Sequence, residues 1–207
     1  VPGERSRGSA RCCGFSFGSL CTVLKLGLRP PFLPYQCPGS SFSFMKPVIF
    51  GLSGLVLTDD EKRLFLDAEP AGYIVFGRNV ADRRQLLSLT DSLRDLHGRD
   101  DVPILIDQEG GRVARMKAPE WPVFPAGGAF DALYDLAPMA AIEAARSNAE
   151  AIARVLAEVG INIDCLPVLD VRVADTHSAI GDRALGSDPM RVAALGRAIL
   201  DGLASGG

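Results

Sequence analysis

The fourteen residues VPILIDQEGGRVAR, 102–115, decide how this chain folds. Val102 to Ile106 is a short apolar run, the signature of a strand covered on both faces. Asp107 follows without a spacer, and then come Glu109, the pair Gly110-Gly111, Arg112 and Arg115. Adjacent glycines permit a tight backbone path that residues with a Cβ resist. A buried strand that ends on a carboxylate and turns at once through a charged loop is an α/β pattern, because ligands of such folds gather beyond the carboxyl ends of parallel strands.

The same alternation runs outward from this stretch in both directions. Upstream, Pro47–Leu52 and Ala71–Phe76 are short apolar runs. Between them Thr58 and Glu61 have the spacing of a capping box, which predicts a helix through about Ala68. Leu86, Leu89, Leu93 and Leu96 recur at three- and four-residue steps and place one apolar stripe on a helix that stops near Gly98. Downstream, Met139, Ile142, Ala145, Ala149, Ile152, Val155 or Leu156 and Val159 trace another stripe, with Gly160 as the stop signal. Ile161–Leu169 is expected to be the fourth strand. Asp188-Pro189 reads as N-cap and first helical residue, and Val192, Leu195, Ile199 and Leu203 form the face of the helix that follows.

Four β-α units with near-continuous apolar strands imply a parallel sheet covered by helices, either an open doubly wound sheet or a (β/α) barrel. The first β-α turn, Gly51-Leu52-Ser53-Gly54, lacks the glycine spacing of a dinucleotide site, and the sequence contains no P-loop. Asp107 and Asp170 fall directly after the third and fourth expected strands. The expected fold is therefore α/β, a (β/α)8 TIM-barrel type represented by about its first four β-α units.

Composition narrows the function. The 207 residues are 47% hydrophobic and 23% charged, with 22 Lys+Arg against 25 Asp+Glu, as in a globular protein. A net charge of -3 gives no reason to seek a nucleic acid, and no apolar run reaches the ~18 residues that span a bilayer.

The average conceals a break at Met45. Residues 1–44 hold five basic residues (Arg5, Arg7, Arg11, Lys25 and Arg29) against one acid, Glu4, so 45–207 keep 17 basic and 24 acidic residues. Cys12, Cys13, Cys21 and Cys37 also lie before the break, without the spacing or histidine partners of a zinc site. A targeting segment would suit the Arg- and Ser-rich composition, but no clean cleavage site follows it. We read 1–44 as a disordered, non-homologous extension upstream of a start at Met45, and 45–207 as the folded domain. Cys165 is then the lone thiol of the domain, expected to be buried in the fourth strand and consistent with a reducing compartment.

The candidate binding residues lie in two loops. Asp107 can accept two hydrogen bonds from neighbouring sugar hydroxyls, and Arg115 can donate a planar fork to oxygen atoms. The segment AIGDRALGSDP, 179–189, adds Arg183, which can reach the same pocket or simply pair with Asp182 or Asp170. Mutual ion pairing is the competing role for all of these charges. His177, close to Arg183, has no evident partner in the sequence and is expected to be solvated rather than an acid/base.

From Met45 onward the sequence resembles the glycoside hydrolase family 3 β-N-acetylhexosaminidases of the NagZ type. The matching pieces are Gly77-Arg78-Asn79, DQEGGRVxR at 107–115, PVLD at 167–170 and AIGDRALGSDP at 179–189, in the family's order and spacing. The resemblance implies a cytoplasmic (β/α)8 barrel that removes terminal β-linked N-acetylglucosamine, with retention, from peptidoglycan-derived muropeptides. By position, Asp107, Arg115 and Arg183 match the family's sugar-binding residues. No metal or other cofactor is implied.

The family's next motif, a Lys-His pair followed by Pro-Gly-His, would begin after Gly207 and carries the acid/base histidine, and its nucleophilic Asp comes later still. Retaining hydrolysis needs both a nucleophile and a proton donor, so no residue of this chain is assigned a catalytic role. Length agrees, since a full barrel takes about 250 residues and 45–207 supplies 163. The rivals are a family 3 β-glucosidase, which shares the barrel, and a non-catalytic sugar-binding fragment.

Overall fold

The computed structural model describes residues 45–206. The expectations for residues 1–44, from the disordered extension to the cysteine spacing, lie outside the described residues.

The chain opens with β1 (Lys46–Gly51), α1 (Asp59–Ala68), β2 (Pro70–Val75) and α2 (Arg83–His97). It continues through β3 (Ile104–Ile106) to a small hairpin, β4 (Gln108–Gly110) and β5 (Val113–Ala114). Two helices follow, α3 (Gly127–Leu136) and α4 (Pro138–Ala157), then β6 (Ile163–Asp164) and α5 (Pro189–Gly206). Strands β1, β2, β3 and β6 lie in that order in one sheet, and every neighbouring pair is parallel. This is the α/β arrangement of parallel strands and crossover helices that the alternation predicts.

Local chemistry sets the helix ends. Thr58 accepts the Glu61 amide while Glu61 reaches back to the Thr58 amide at 2.9 Å, the reciprocal capping box expected for α1. Gly98 takes the left-handed conformation (φ 60°) that closes α2. Asp188 Oδ1 accepts from the amides of Met190 and Arg191 at 2.7 and 3.0 Å, so the N-cap of α5 is also where the sequence puts it.

The sheet is helix-covered on one face. Tyr73, Val75, Ile104 and Ile106 point into a core with Phe65 of α1, Leu86, Leu89 and Leu93 of α2, and Ile152 and Leu156 of α4. Neighbouring residues on the strands face the other way, where Ile74, Leu105 and Ile163 share one register row and Ile163 is exposed. A second cluster joins Ala141, Ala145 and Ala149 of α4 to Val192, Leu195 and Ile199 of α5. Small residues let these helices touch through their backbones: a Cβ on Gly202 would lie 2.1 Å from the carbonyl oxygen of Arg146. On the predicted α4 stripe Met139 is the exception, being exposed at the helix start.

Two expectations change at the fourth strand. The predicted span Ile161–Leu169 contracts to Ile163–Asp164. Beyond the bond from the Cys165 amide to Ile106 O at 2.9 Å, the neighbouring chain has left β3 for the hairpin, and Pro167 has no N–H to donate. Cys165 is exposed rather than buried, because it emerges at the end of this shortened strand. Asp170 consequently sits six residues past the strand end rather than directly on it.

Candidate functional site

The hairpin β4–β5 is built by one buried amide. Gln108 Oε1 accepts from the backbone N–H of Arg115 and Met116 at 2.9 and 3.0 Å, and its Nε2 donates to Met116 O at 3.0 Å. The turn between the strands needs both glycines, with φ of 91° at Gly110 and 58° at Gly111. A Cβ on Gly110 would stand 2.2 Å from Pro125 O, so the position excludes side chains twice over.

Closing the hairpin brings its ends together. Arg115 Nη2 donates to Asp107 Oδ2 at 2.6 Å, immediately past the carboxyl end of β3. Partial burial, followed by the neighbouring Asp107 carboxylate, pushes the Cys165 thiol pKa up to about 11. Cys165 is thus a neutral neighbour of Asp107 and not a thiolate nucleophile.

Arg183 arrives from the other loop, on a 3₁₀ turn spanning Gly181–Arg183. It meets Glu109 two-pronged, Nε to Oε2 and Nη2 to Oε1, both at 2.7 Å. Its hydrogen bonds to Glu109 raise the Arg183 pKa, opposed by desolvation and helped further by the charges of Glu109, Asp170 and Asp107. The partner is therefore neither Asp182 nor Asp170, the two that the sequence suggested. Asp182 pairs instead with Arg112, Nε to Oδ1 at 2.9 Å.

The three predicted residues thus split into a contacting pair, Asp107 with Arg115, and a third, Arg183, that Glu109 holds within the same electrostatic field. A small cavity is lined by Glu109, Arg183, Leu166 and Leu185 among others, and it does not include Asp107 or Arg115. His177 is exposed, and its Nδ1 accepts only from the nearby Ala179 amide at 3.0 Å. Among the described residues no cluster of three or more His, Cys, Asp or Glu could hold a metal.

Sequence reasoning missed two contributors. Asp131 on α3 accepts from Arg172 at 2.9 Å and from Arg191 at 2.6 Å, clamping both ends of the loop that carries Arg183. Asp164 is the other. Its Oδ1 accepts the Gln108 amide at 3.0 Å, while its buried Oδ2 has no partner among the described residues. Burial, reinforced by the charges of Glu109 and Asp107, pushes its pKa up to about 7 against the lowering bonds from Gln108 and Cys165. Only an acidic residue within an otherwise apolar predicted strand hinted at it. The match of Gly77-Arg78-Asn79 has a structural meaning too, since Asn79 Nδ2 donates to Leu52 O and Gly54 O at 3.1 and 2.8 Å and so fixes the first β-α loop.

The sequence pattern of the glycosyl hydrolase family 3 N terminal domain matches residues 50–207. The chain belongs to that family. A beta-hexosaminidase of Bordetella pertussis is 37% identical to the family 3 domain over 163 residues, which cover 78% of this chain and 45% of that protein. One from Aromatoleum aromaticum is 34% identical over 161 residues, again 78% of this chain and 45% of the relative. The chain therefore spans about half the length of the curated relatives it matches. Among solved structures, NagZ from Neisseria gonorrhoeae in complex with N-trifluoroacetyl-D-glucosamine superposes with a TM-score of 0.74 at 33% identity, over 79% of this chain and 48% of that one. A family 3 beta-N-acetylglucosaminidase from Paenibacillus sp. str. FPU-7 gives 0.68 at 31% identity, over 76% and 29%.

Proposed function

We propose that residues 45–207 are the glycan-holding part of a retaining β-N-acetylhexosaminidase that removes terminal β-linked N-acetylglucosamine from peptidoglycan-derived muropeptides in the cytoplasm. The observation that carries this reading is the Asp107–Arg115 pair just past the carboxyl end of β3, with Arg183 anchored by Glu109 two residues further along the chain, in a domain similar to a NagZ in complex with N-trifluoroacetyl-D-glucosamine. Asp107 keeps one carboxylate oxygen for sugar hydroxyls while Arg115 holds the other, and Arg183 offers the donors that Glu109 does not take.

In the same proposal the sheet is the first arc of a (β/α)8 barrel. Helices cover only one of its faces, whereas a doubly wound sheet is covered on both, and the exposed Ile49 and Ile163 mark a face that a closing barrel would bury. Because the chain spans about half the length of its curated relatives, the nucleophile and the proton donor required for retention are assigned in this proposal to the part of the family's length that the match does not cover. No residue described here is assigned to the bond-breaking step.

Two measurements test the division of labour. The complete native polypeptide should cleave a chromogenic β-N-acetylglucosaminide and spare the matching β-glucoside, whereas equal rates would favour the β-glucosidase reading. The 207-residue chain alone should show no turnover. Turnover by that chain, lost on Asp107→Ala, would place catalysis inside it and overturn the proposal. Binding of N-acetylglucosamine without turnover by the complete polypeptide would leave the sugar-binding reading in its place.

A further inference from the structure

Arg112 is not among the proposed sugar-binding residues, yet its guanidinium makes four contacts from the hairpin to the second loop. Besides the Asp182 pair, its Nη2 faces three successive carbonyl oxygens, those of Ser178, Ala179 and Ile180, at 2.9, 2.6 and 3.3 Å. The turn it grips is the one that delivers Arg183. Ile180 accepts the Arg183 amide at 2.9 Å, and Ala179 O also receives Arg183 Nη1 at 3.2 Å. Gly181, at φ 44°, gives the turn a left-handed step beside Arg112, whose Nη2 would be in ordinary contact with a Cβ there.

We propose that Arg112 is a positioning residue: by gathering the 178–180 carbonyls and Asp182 into one fork, it sets the turn so that Arg183 meets Glu109 with two nitrogens. The guanidinium serves the carboxylate from Nε and the carbonyls from Nη2 in one rigid plane, whereas an ammonium would have to reach both from a single nitrogen. Both Arg112 and Asp182 are about half exposed, and pairs of that kind contribute little to global stability. The consequence of the contact is therefore local. It couples the hairpin to the second loop at a place that touches neither the core nor the sugar. This inference rests on the assignment of Arg183 to glycan binding.

The test uses the complete native polypeptide with Arg112→Ala, Arg112→Lys and Asp182→Asn, and two readouts. The first is KM and kcat on a chromogenic β-N-acetylglucosaminide. The second is solvent exchange of the Arg183 Nε–H, followed by nitrogen-15 NMR. Arg112→Ala should raise KM by about tenfold with kcat within about twofold, the pattern of lost binding rather than lost chemistry. It should also speed exchange of the Arg183 Nε–H by about tenfold, one decade being the scale of a single lost hydrogen bond. Arg112→Lys should fall between, and Asp182→Asn, which keeps the carbonyl contacts, should stay near wild type.

An unchanged Arg183 signal in Arg112→Ala would overturn the proposal, and a raised KM beside it would mean that Arg112 touches the glycan directly. An Asp182→Asn variant as impaired as Arg112→Ala would also overturn it, by making the charge of Asp182 and not the hydrogen bonds of the fork responsible. If Arg112→Ala does not fold, the role is structural and the Lys variant decides between fork and charge. A wild-type polypeptide that hydrolyses nothing would defeat the functional reading alone, because the Arg183 signal reports on positioning without turnover.

Discussion

The two arms of the candidate site are held in opposite ways. The hairpin that carries Asp107 and Arg115 is closed by its own residues: the Gln108 side chain bridges it from within, and its glycines let the turn form. The loop that carries Arg183 has only short turns of its own, such as those closed by Ile180 N–H on His177 O and Arg183 N–H on Ile180 O, both at 2.9 Å. Its ends meet through the Arg172 amide on Gly186 O at 2.9 Å, and its course is set by side chains from elsewhere, Asp131 of α3, Glu109 of β4 and Arg112 beyond it. A local arm is encoded by neighbours in sequence, whereas a borrowed arm depends on pairs 41 to 74 residues apart. The first should fail only when its backbone is blocked, and the second when any of its remote anchors is lost.

The largest effect should come from blocking the backbone. Gly110→Ala forces a side chain into φ 91° and against Pro125 O, and denaturant unfolding should show a loss of about 3–5 kcal/mol. A loss under about 1 kcal/mol would mean that the hairpin is not fixed by its turn. Next comes the remote anchor. Asp131→Ala strips the acid from Arg172 and Arg191, which are 39% and 23% exposed. Because both cations can reach water, the cost should be about 2–3 kcal/mol, below that of a fully buried pair. The hairpin's protection from hydrogen exchange should survive this change while that of residues 172–186 falls, and equal loss in both would erase the contrast between the arms.

The seam between the arms and the sheet carries a pH signature. Asp164 has its folded pKa raised to about 7, above the ordinary carboxylate range of about 3.9. The folded state therefore holds this proton more tightly, so the protonated group costs nothing below about pH 4, and stability falls as pH rises from there through about 7. Asp164→Asn removes the charge and keeps an acceptor for the Gln108 amide. Thermal unfolding at pH 8 should show a gain of about 1–2 kcal/mol, roughly a quarter to a half of what full linkage over the raised interval would give, shrinking toward zero near pH 4. A gain that does not change with pH would exclude titration of Asp164 as its cause. The smallest effect belongs to Arg112→Ala, whose global cost should stay below about 1 kcal/mol by the same unfolding assay.

Much of the framework was legible in the residues because it rests on short-range physics. The Thr58 box, the Gly98 stop and the Asp188 cap depend on contacts within four residues, and each is where its spacing puts it. The stripes of α2 and α5 were legible for the same reason, as period and burial agree. What was misread lies where long-range partners decide. The fourth strand looks apolar for nine residues but pairs for only two, because β3 bends away into the hairpin. Cys165 was assigned to the core on its apolar neighbours, and the shortened strand exposes it. Helix α3 went unseen: it has no side-chain cap, and its apolar face is narrow.

The amino-acid sequence by itself determined the α/β alternation, the helix limits and the two loops on which Asp107, Arg115 and Arg183 reside, since propensity, capping and periodicity act between near neighbours. Which charges meet was decided only in three dimensions. Arg183 could have joined Asp182 or Asp170, both close along the chain. It joins Glu109, 74 residues away, because the crossover through α4 brings the end of β6 beside β3 and sets that carboxylate opposite the turn.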